Sequence, residues 1–198
     1  MMIKLRYIAL ILCLVASSGL GAARNYEFQL LAGSRYVELD FNVRHPLEEG
    51  YLRTGVGGAY RDQTNQKYSL LHGTIGVGST SFVEGLRVDV GFRGLVTKVE
   101  NRPMDGSGGG LGFNIAALYQ LPEKISKLPI RFFGELTWAP DVLCFSSLDR
   151  YREINTGVSF NIIDNAAIIL DYRYRNFDMK TNWGLSDDIV SVGVAVGF

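Results

Sequence analysis

Along most of the chain, apolar and polar residues alternate one for one. In YVELDFNVR, Val37, Leu39, Phe41 and Val43 fall on one face, and Glu38, Asp40, Asn42 and Arg44 on the other. Successive side chains of a strand point to opposite sides, so this pattern predicts β-structure with one apolar face. LRVDVGFRG (86–94) sets Val88, Val90 and Phe92 against Arg87, Asp89 and Arg93. IRFFGELTW (130–138) sets Ile130, Phe132 and Leu136 against Arg131, Phe133 and Glu135. YREINTGVSFNI (151–162) and AAIILDYRYRNF (166–177) repeat it, with Glu153, Asn155, Asp171, Arg173 and Arg175 on the polar side.

Weaker copies cover 25–32, 51–61, 68–79 and 109–120, and the chain closes on an alternating stretch, 188–198. These are ten candidate strands. The connections read as long at 99–108, 140–150 and 178–187, intermediate at 121–129 and short at 164–165. Regular strands with the longer loops gathered at one end predict an all-β, up-and-down antiparallel β-barrel. Ten strands place both termini at the same end, provided 25–32 is a strand; eight is the alternative if that segment or another pairs irregularly.

Composition agrees with strands and turns: the chain of 198 residues holds 23 Gly, 10 Tyr and 11 Phe. Its first segment departs from the pattern. Lys4 and Arg6 precede a short apolar run from Ile8 to Val15, and small residues lead to Ala23. That is the layout of a cleaved secretory signal peptide, residues 1–23, followed by one domain, 24–198. Cleavage removes Lys4 and Arg6 from the 20 basic residues and none of the 20 acidic ones, leaving a slightly acidic chain with no basic field for nucleic acid. Cys144 is then the one remaining cysteine, so no intramolecular disulfide forms.

The polar face decides between a soluble and a membrane barrel. Its basic residues are all arginine: Arg44, Arg53, Arg61, Arg87, Arg93, Arg131, Arg173 and Arg175. They share it with Glu38, Asp40, Asp89, Glu135, Glu153 and Asp171, while the lysines fall in loops or at strand ends. A solvated surface mixes in lysine freely; confined ion pairs favour the planar guanidinium fork. Glycines at 55, 57, 91, 157 and 193 interleave with the charges, as a narrow interior requires. Tyr60, Tyr119, Trp138, Tyr172 and Tyr174 on the apolar face resemble an interfacial girdle. The expectation is a barrel of the bacterial outer membrane, apolar toward lipid, with the charged face lining its lumen.

The residues from FGELTWAPDVL through DRYRE to DYRYRNF (133–177), with the ending VGVAVGF, resemble the YfaZ family of outer-membrane β-barrels. The likeness is most specific over the last third of the chain. It implies an outer-membrane protein of porin-like description and brings no catalytic residues.

Other chemistry is sparse. His45 precedes Pro46 and reads as a turn residue; His72 falls on the lumen side, hydrogen-bonded or, in the sharper reading, a general base. No nucleophile or metal-ligand spacing accompanies either, so no catalytic residue, metal or cofactor is expected. GSGGGLG (106–112) lacks the Lys-Ser/Thr of a phosphate loop and reads as a loop tip. Asp141, Asp187 and Asp188 read as solvated charges of outer loops. Three functions remain: a narrow porin-like channel, with slight anion preference from its arginines; a closed structural or surface-interaction barrel plugged by ion pairs; and a lipid-modifying or proteolytic barrel enzyme. The expected partners are outer-membrane lipid, lipopolysaccharide and the barrel-assembly machinery, which reads a terminal aromatic such as Phe198; the protein is expected to be a monomer.

Overall fold

A computed structural model describes residues 25–80, 83–122 and 129–198. The expected signal peptide, and Lys124 and Lys127, lie outside the described residues. The elements are β1 (Asn25–Gly33), β2 (Tyr36–Leu47), β3 (Gly50–Asp62), β4 (Gln66–Ser79), β5 (Leu86–Asn101), β6 (Met104–Gln120), β7 (Ile130–Ala139), β8 (Cys144–Ser146), β9 (Leu148–Ile163), β10 (Ala166–Met179) and β11 (Trp183–Gly197). Among the described residues, ten long strands form one antiparallel ring, each hydrogen-bonded to its neighbours on both sides. The short β8 adds only to β6, pairing Gly110 with Cys144 and Gly108 with Ser146.

The ring closes between the first strand and the last. Phe28 stands opposite Val196 and Leu30 opposite Val194, while β1 also pairs with β2. Segment 25–32 is therefore a strand, and the count is ten. A closed barrel leaves no edge strand, and in lipid every backbone donor and acceptor of the wall has a partner within it. Among the described residues Cys144 is unpaired, and the continuous ladder holds the wall together without a cross-link.

The alternation translates directly into an inside and an outside. Leu30, Val56, Ile75, Val90, Leu136 and Val194 stand on the outer wall, each 39–55% exposed. An unbroken apolar belt of this kind on the outside of a charged interior belongs to a transmembrane barrel. Tyr60, Trp138 and Tyr172 lie on the same outer wall.

Two of the expected long loops are strand. β5 and β6 remain paired up to Asn101 and Met104, so the turn is confined to Arg102 and Pro103. β10 and β11 remain paired up to Met179 and Trp183. The run 106–112 is thus part of β6 and not a loop tip. Its lack of side chains has a steric reason: a Cβ at Gly108 would lie 2.6 Å from the Leu148 backbone nitrogen, and one at Gly110 would lie 2.9 Å from Cys144 Sγ. Glycine is needed there because the 140–148 segment folds directly against β6, through a short 3₁₀ turn at Asp141–Leu143.

Candidate functional site

The interior is built in three layers, from the end that carries Phe198 to the opposite end. The middle layer holds the charges. Arg175 on β10 donates through Nε to Glu153 Oε2 at 3.0 Å and through Nη2 to Glu38 Oε1 and Oε2 at 3.1 and 3.2 Å. Its Nη1 donates to the hydroxyls of Tyr36 and Tyr68 at 3.1 and 3.3 Å. All five N–H groups of the guanidinium are used, as a cation removed from water requires. Arg173 donates to Glu38 and, at 3.3 Å, to Glu153, and its Nη2 lies 3.6 Å from Asp171. Arg93 reaches Glu153 at 3.1 Å and also bonds Glu135, while its Nε donates to Thr74. Glu153 therefore accepts from three arginines on two strands, and the Tyr151 hydroxyl donates to it as well.

His72 on β4 sits beside this cluster, with Nε2 3.2 Å from Asp40 and 3.8 Å from Glu38. Gly57 on the adjacent strand makes room for it: a Cβ there would lie 2.7 Å from His72 Cε1. Glu38, Asp40 and His72 bring three possible ligand atoms within 4.8 Å of one another. Both oxygens of Glu38 already face the guanidiniums of Arg173 and Arg175. A cation placed there would meet two fixed positive charges, so the trio is a part of the ion-pair network and not a metal centre.

Toward the end opposite Phe198, the interior turns apolar. Tyr36, Tyr68, Tyr151, Phe177, Leu148 and Met179 are buried together, packed over Arg175. Phe177 lies between two tyrosine rings, with centroids 5.2 Å from Tyr68 and 5.1 Å from Tyr151. Arg175 lies 5.8 Å from the ring centroids of both Tyr36 and Tyr68, so the aromatic layer and the charged layer are joined. Beside them Arg61 pairs with Asp187 at 3.3 Å. Asp187 is buried on β11; the expectation of a solvated outer-loop charge fails because β11 begins earlier than its sequence pattern indicates.

Toward Phe198, the interior opens into a vestibule. Arg53 spans Asp89 at 3.7 Å and Glu135 at 3.6 Å, and Arg44 pairs with Glu27 at 3.2 Å. Beyond them lies a cavity of about 460 Å³ lined by Glu27, Arg44, Arg87, Leu118, Arg131 and Phe198, among others. Every side chain read from the sequence as lumen-lining lies in one of these regions: Glu38, Asp40, Arg93, Glu153, Asp171, Arg173 and Arg175 in the middle, Arg53, Asp89 and Glu135 below it, and Arg87 and Arg131 at the mouth. The aromatic layer and Asp187 are absent from that reading. Parity could have found them, since Tyr36 is in phase with Glu38, Tyr151 with Glu153, and Phe177 with Arg175.

The family model described as YfaZ precursor matches residues 2–198. The chain belongs to the YfaZ family. Together with the closed ring and its apolar outer wall, this makes the YfaZ chain an outer-membrane β-barrel protein. Similar solved structures include the NanC porin, at 9% identity and a TM-score of 0.44, covering 88% of this chain and 99% of that one. Neisserial surface protein A is similar at 13% identity and a TM-score of 0.35, covering 88% and 94% of the two chains. The translocator domain of the autotransporter NalP from Neisseria meningitidis is similar at 10% identity and a TM-score of 0.37, covering 98% and 95%. No curated relative matches the chain.

Proposed function

We propose that this YfaZ barrel is a closed barrel of the Gram-negative outer membrane, with a structural or surface-interaction role and no steady conduit through its lumen. The observation that carries this reading is Arg175, fully buried, bonded to carboxylates on β2 and β9 and covered by Tyr36, Tyr68, Tyr151 and Phe177. Small barrels are commonly filled by their own side chains. A porin-like path would have to separate those ion pairs and displace the aromatic layer, leaving charges without partners in a confined space.

With an even number of strands, the termini face the periplasm and the β5–β6 and β10–β11 hairpins face outward. The exposed partner surface is then the outer rim, among lipid and lipopolysaccharide, and the protein acts as a monomer assembled by the barrel machinery. The reading includes no catalysis. His72 and Asp40 are buried within the charged layer, out of reach of a lipid or peptide chain.

Single-channel recording on the refolded chain tests the proposal. A silent bilayer, with folded protein verified by the mobility difference between unheated and boiled samples, is the expected result. Steady conductance would replace it with the porin-like reading.

A further inference from the structure

The vestibule at the Phe198 end holds two arginines that stand outside the ion pairs of the chain. Arg44 is committed to Glu27, and Arg53 to Asp89 and Glu135. Arg87 and Arg131 line the same cavity, and among the described residues neither has a carboxylate within ion-pair distance. Arg87 is held in place by the Tyr51 ring, with its guanidinium carbon 5.7 Å from the centroid. Register fixes the spacing: Arg87 stands opposite Leu118 on β6, and Arg131 stands opposite Gln120 on that strand's other side. The two guanidiniums therefore flank β6 at neighbouring levels of one pocket.

From this we infer a binding site for a small phosphate-class dianion in the periplasm-facing vestibule, held by Arg87 and Arg131. Two guanidiniums outside any ion pair offer an anion two positive partners, and each presents the planar fork that fits phosphate oxygens two at a time. Asp164 and the Phe198 carboxylate also line the cavity, but both residues are exposed at its rim, where water and salt screen them. The cavity of about 460 Å³ exceeds what phosphate needs, and it continues into a recess of about 110 Å³ walled in part by Ala116, Phe133 and Ile169. The space suits a phosphate monoester carrying a small organic group. The site does not require a continuous lumen, so it stands whether or not the barrel conducts.

Phosphate monoesters reach this mouth either free in the periplasm or as a lipid headgroup of the inner leaflet. Arginine-selective dicarbonyl labelling of the full refolded chain, mapped by mass spectrometry, separates the two. Inorganic phosphate is expected to slow labelling of Arg87 and Arg131 but not of exposed Arg150. Protection by vesicles containing phosphatidic acid, and not by phosphate or by phosphatidylcholine alone, assigns the site to a lipid headgroup. Protection by neither probe, or equal protection at Arg150, overturns the inference. In a direct titration, the pair R87Q/R131Q is expected to weaken the effective probe about tenfold or more, and R87K/R131K, which keeps charge without the fork, to fall between. Unchanged affinity in both pairs also overturns it.

Discussion

Arg175 and Glu153 are direct cross-strand partners on β10 and β9, joined by a 3.0 Å bond, and both are essentially inaccessible to solvent. Register thus places the pair, and burial sets its energetic weight. Two charges taken out of water contribute little net stability as a pair, but removing one leaves the other uncompensated.

Replacing Glu153 by alanine should therefore destabilise the barrel by about 3–5 kcal/mol, since three arginines lose a shared acceptor at once. Arg150→Gln, which breaks an exposed 3.9 Å contact with Asp178, should cost about 0–1 kcal/mol. Urea unfolding in lipid vesicles measures both. Equal effects from the two substitutions would contradict the assignment of Glu153 as the centre of the network.

The aromatic layer should act as the seal. Combined truncation of Tyr68, Tyr151 and Phe177 to alanine removes the packed rings that cover Arg175. Bilayers containing this variant should show conductance steps where the parent chain is silent, and the exposed arginines should favour anions. Neutralising Arg173 and Arg175 in that background should then reduce anion preference. A variant that folds but stays silent would move the seal to the ion pairs alone.

Gly57 should tolerate no side chain while Asp40 and His72 face it. A Cβ there would meet Asp40 Oδ1 first, and would also lie within 2.8 Å of both His72 Cε1 and Nε2, the nitrogen that holds Asp40 in place. Gly57→Ala should cost about 1–3 kcal/mol through overpacking. Adding His72→Ala should recover part of that loss, giving a coupling of about 0.5 kcal/mol or more in a double-mutant cycle. Strict additivity would mean that the two residues do not meet.

How much of this is legible in the chain depends on contrast between faces. Around Glu38, Arg93 and Arg173, charged residues alternate with Leu39, Phe92 and Tyr172, so side, strand and barrel all follow from period two. Near the outer hairpins that contrast reverses. Tyr151 and Phe177 point inward while their polar neighbours Arg150, Arg152, Asn176 and Asp178 lie toward the outside, so a rule that sends apolar residues outward gives the wrong face there. Asp187 is hidden for a related reason: turn residues at Asn182 and Gly184 suggest a loop, whereas β11 already pairs with β10 from Trp183. The glycines at 106–110 form a ladder that no propensity favours. They are strand because β5 lies alongside and because Leu148 and Cys144 need the space above them. Ion-pair partners are set by shear around the ring, which no local pattern carries.

Phe198 closes the ring at its seam. Its backbone nitrogen donates to the Tyr26 carbonyl at 2.9 Å, and Tyr26 returns the bond to the Phe198 carbonyl at 3.2 Å. The side chain is exposed, so its removal should leave the charged and aromatic layers unchanged. Deleting Phe198 removes one backbone pair from a long ladder, a loss of about 1–3 kcal/mol at most. In cells, the same deletion should sharply lower the amount of folded barrel in the outer membrane, because the terminal aromatic is the feature expected to be read during assembly. Refolding into vesicles without assembly factors should remain close to that of the full chain. The comparison distinguishes recognition from closure: equal impairment in both settings would make Phe198 a closing strut, and normal assembly in cells would remove its role as a signal.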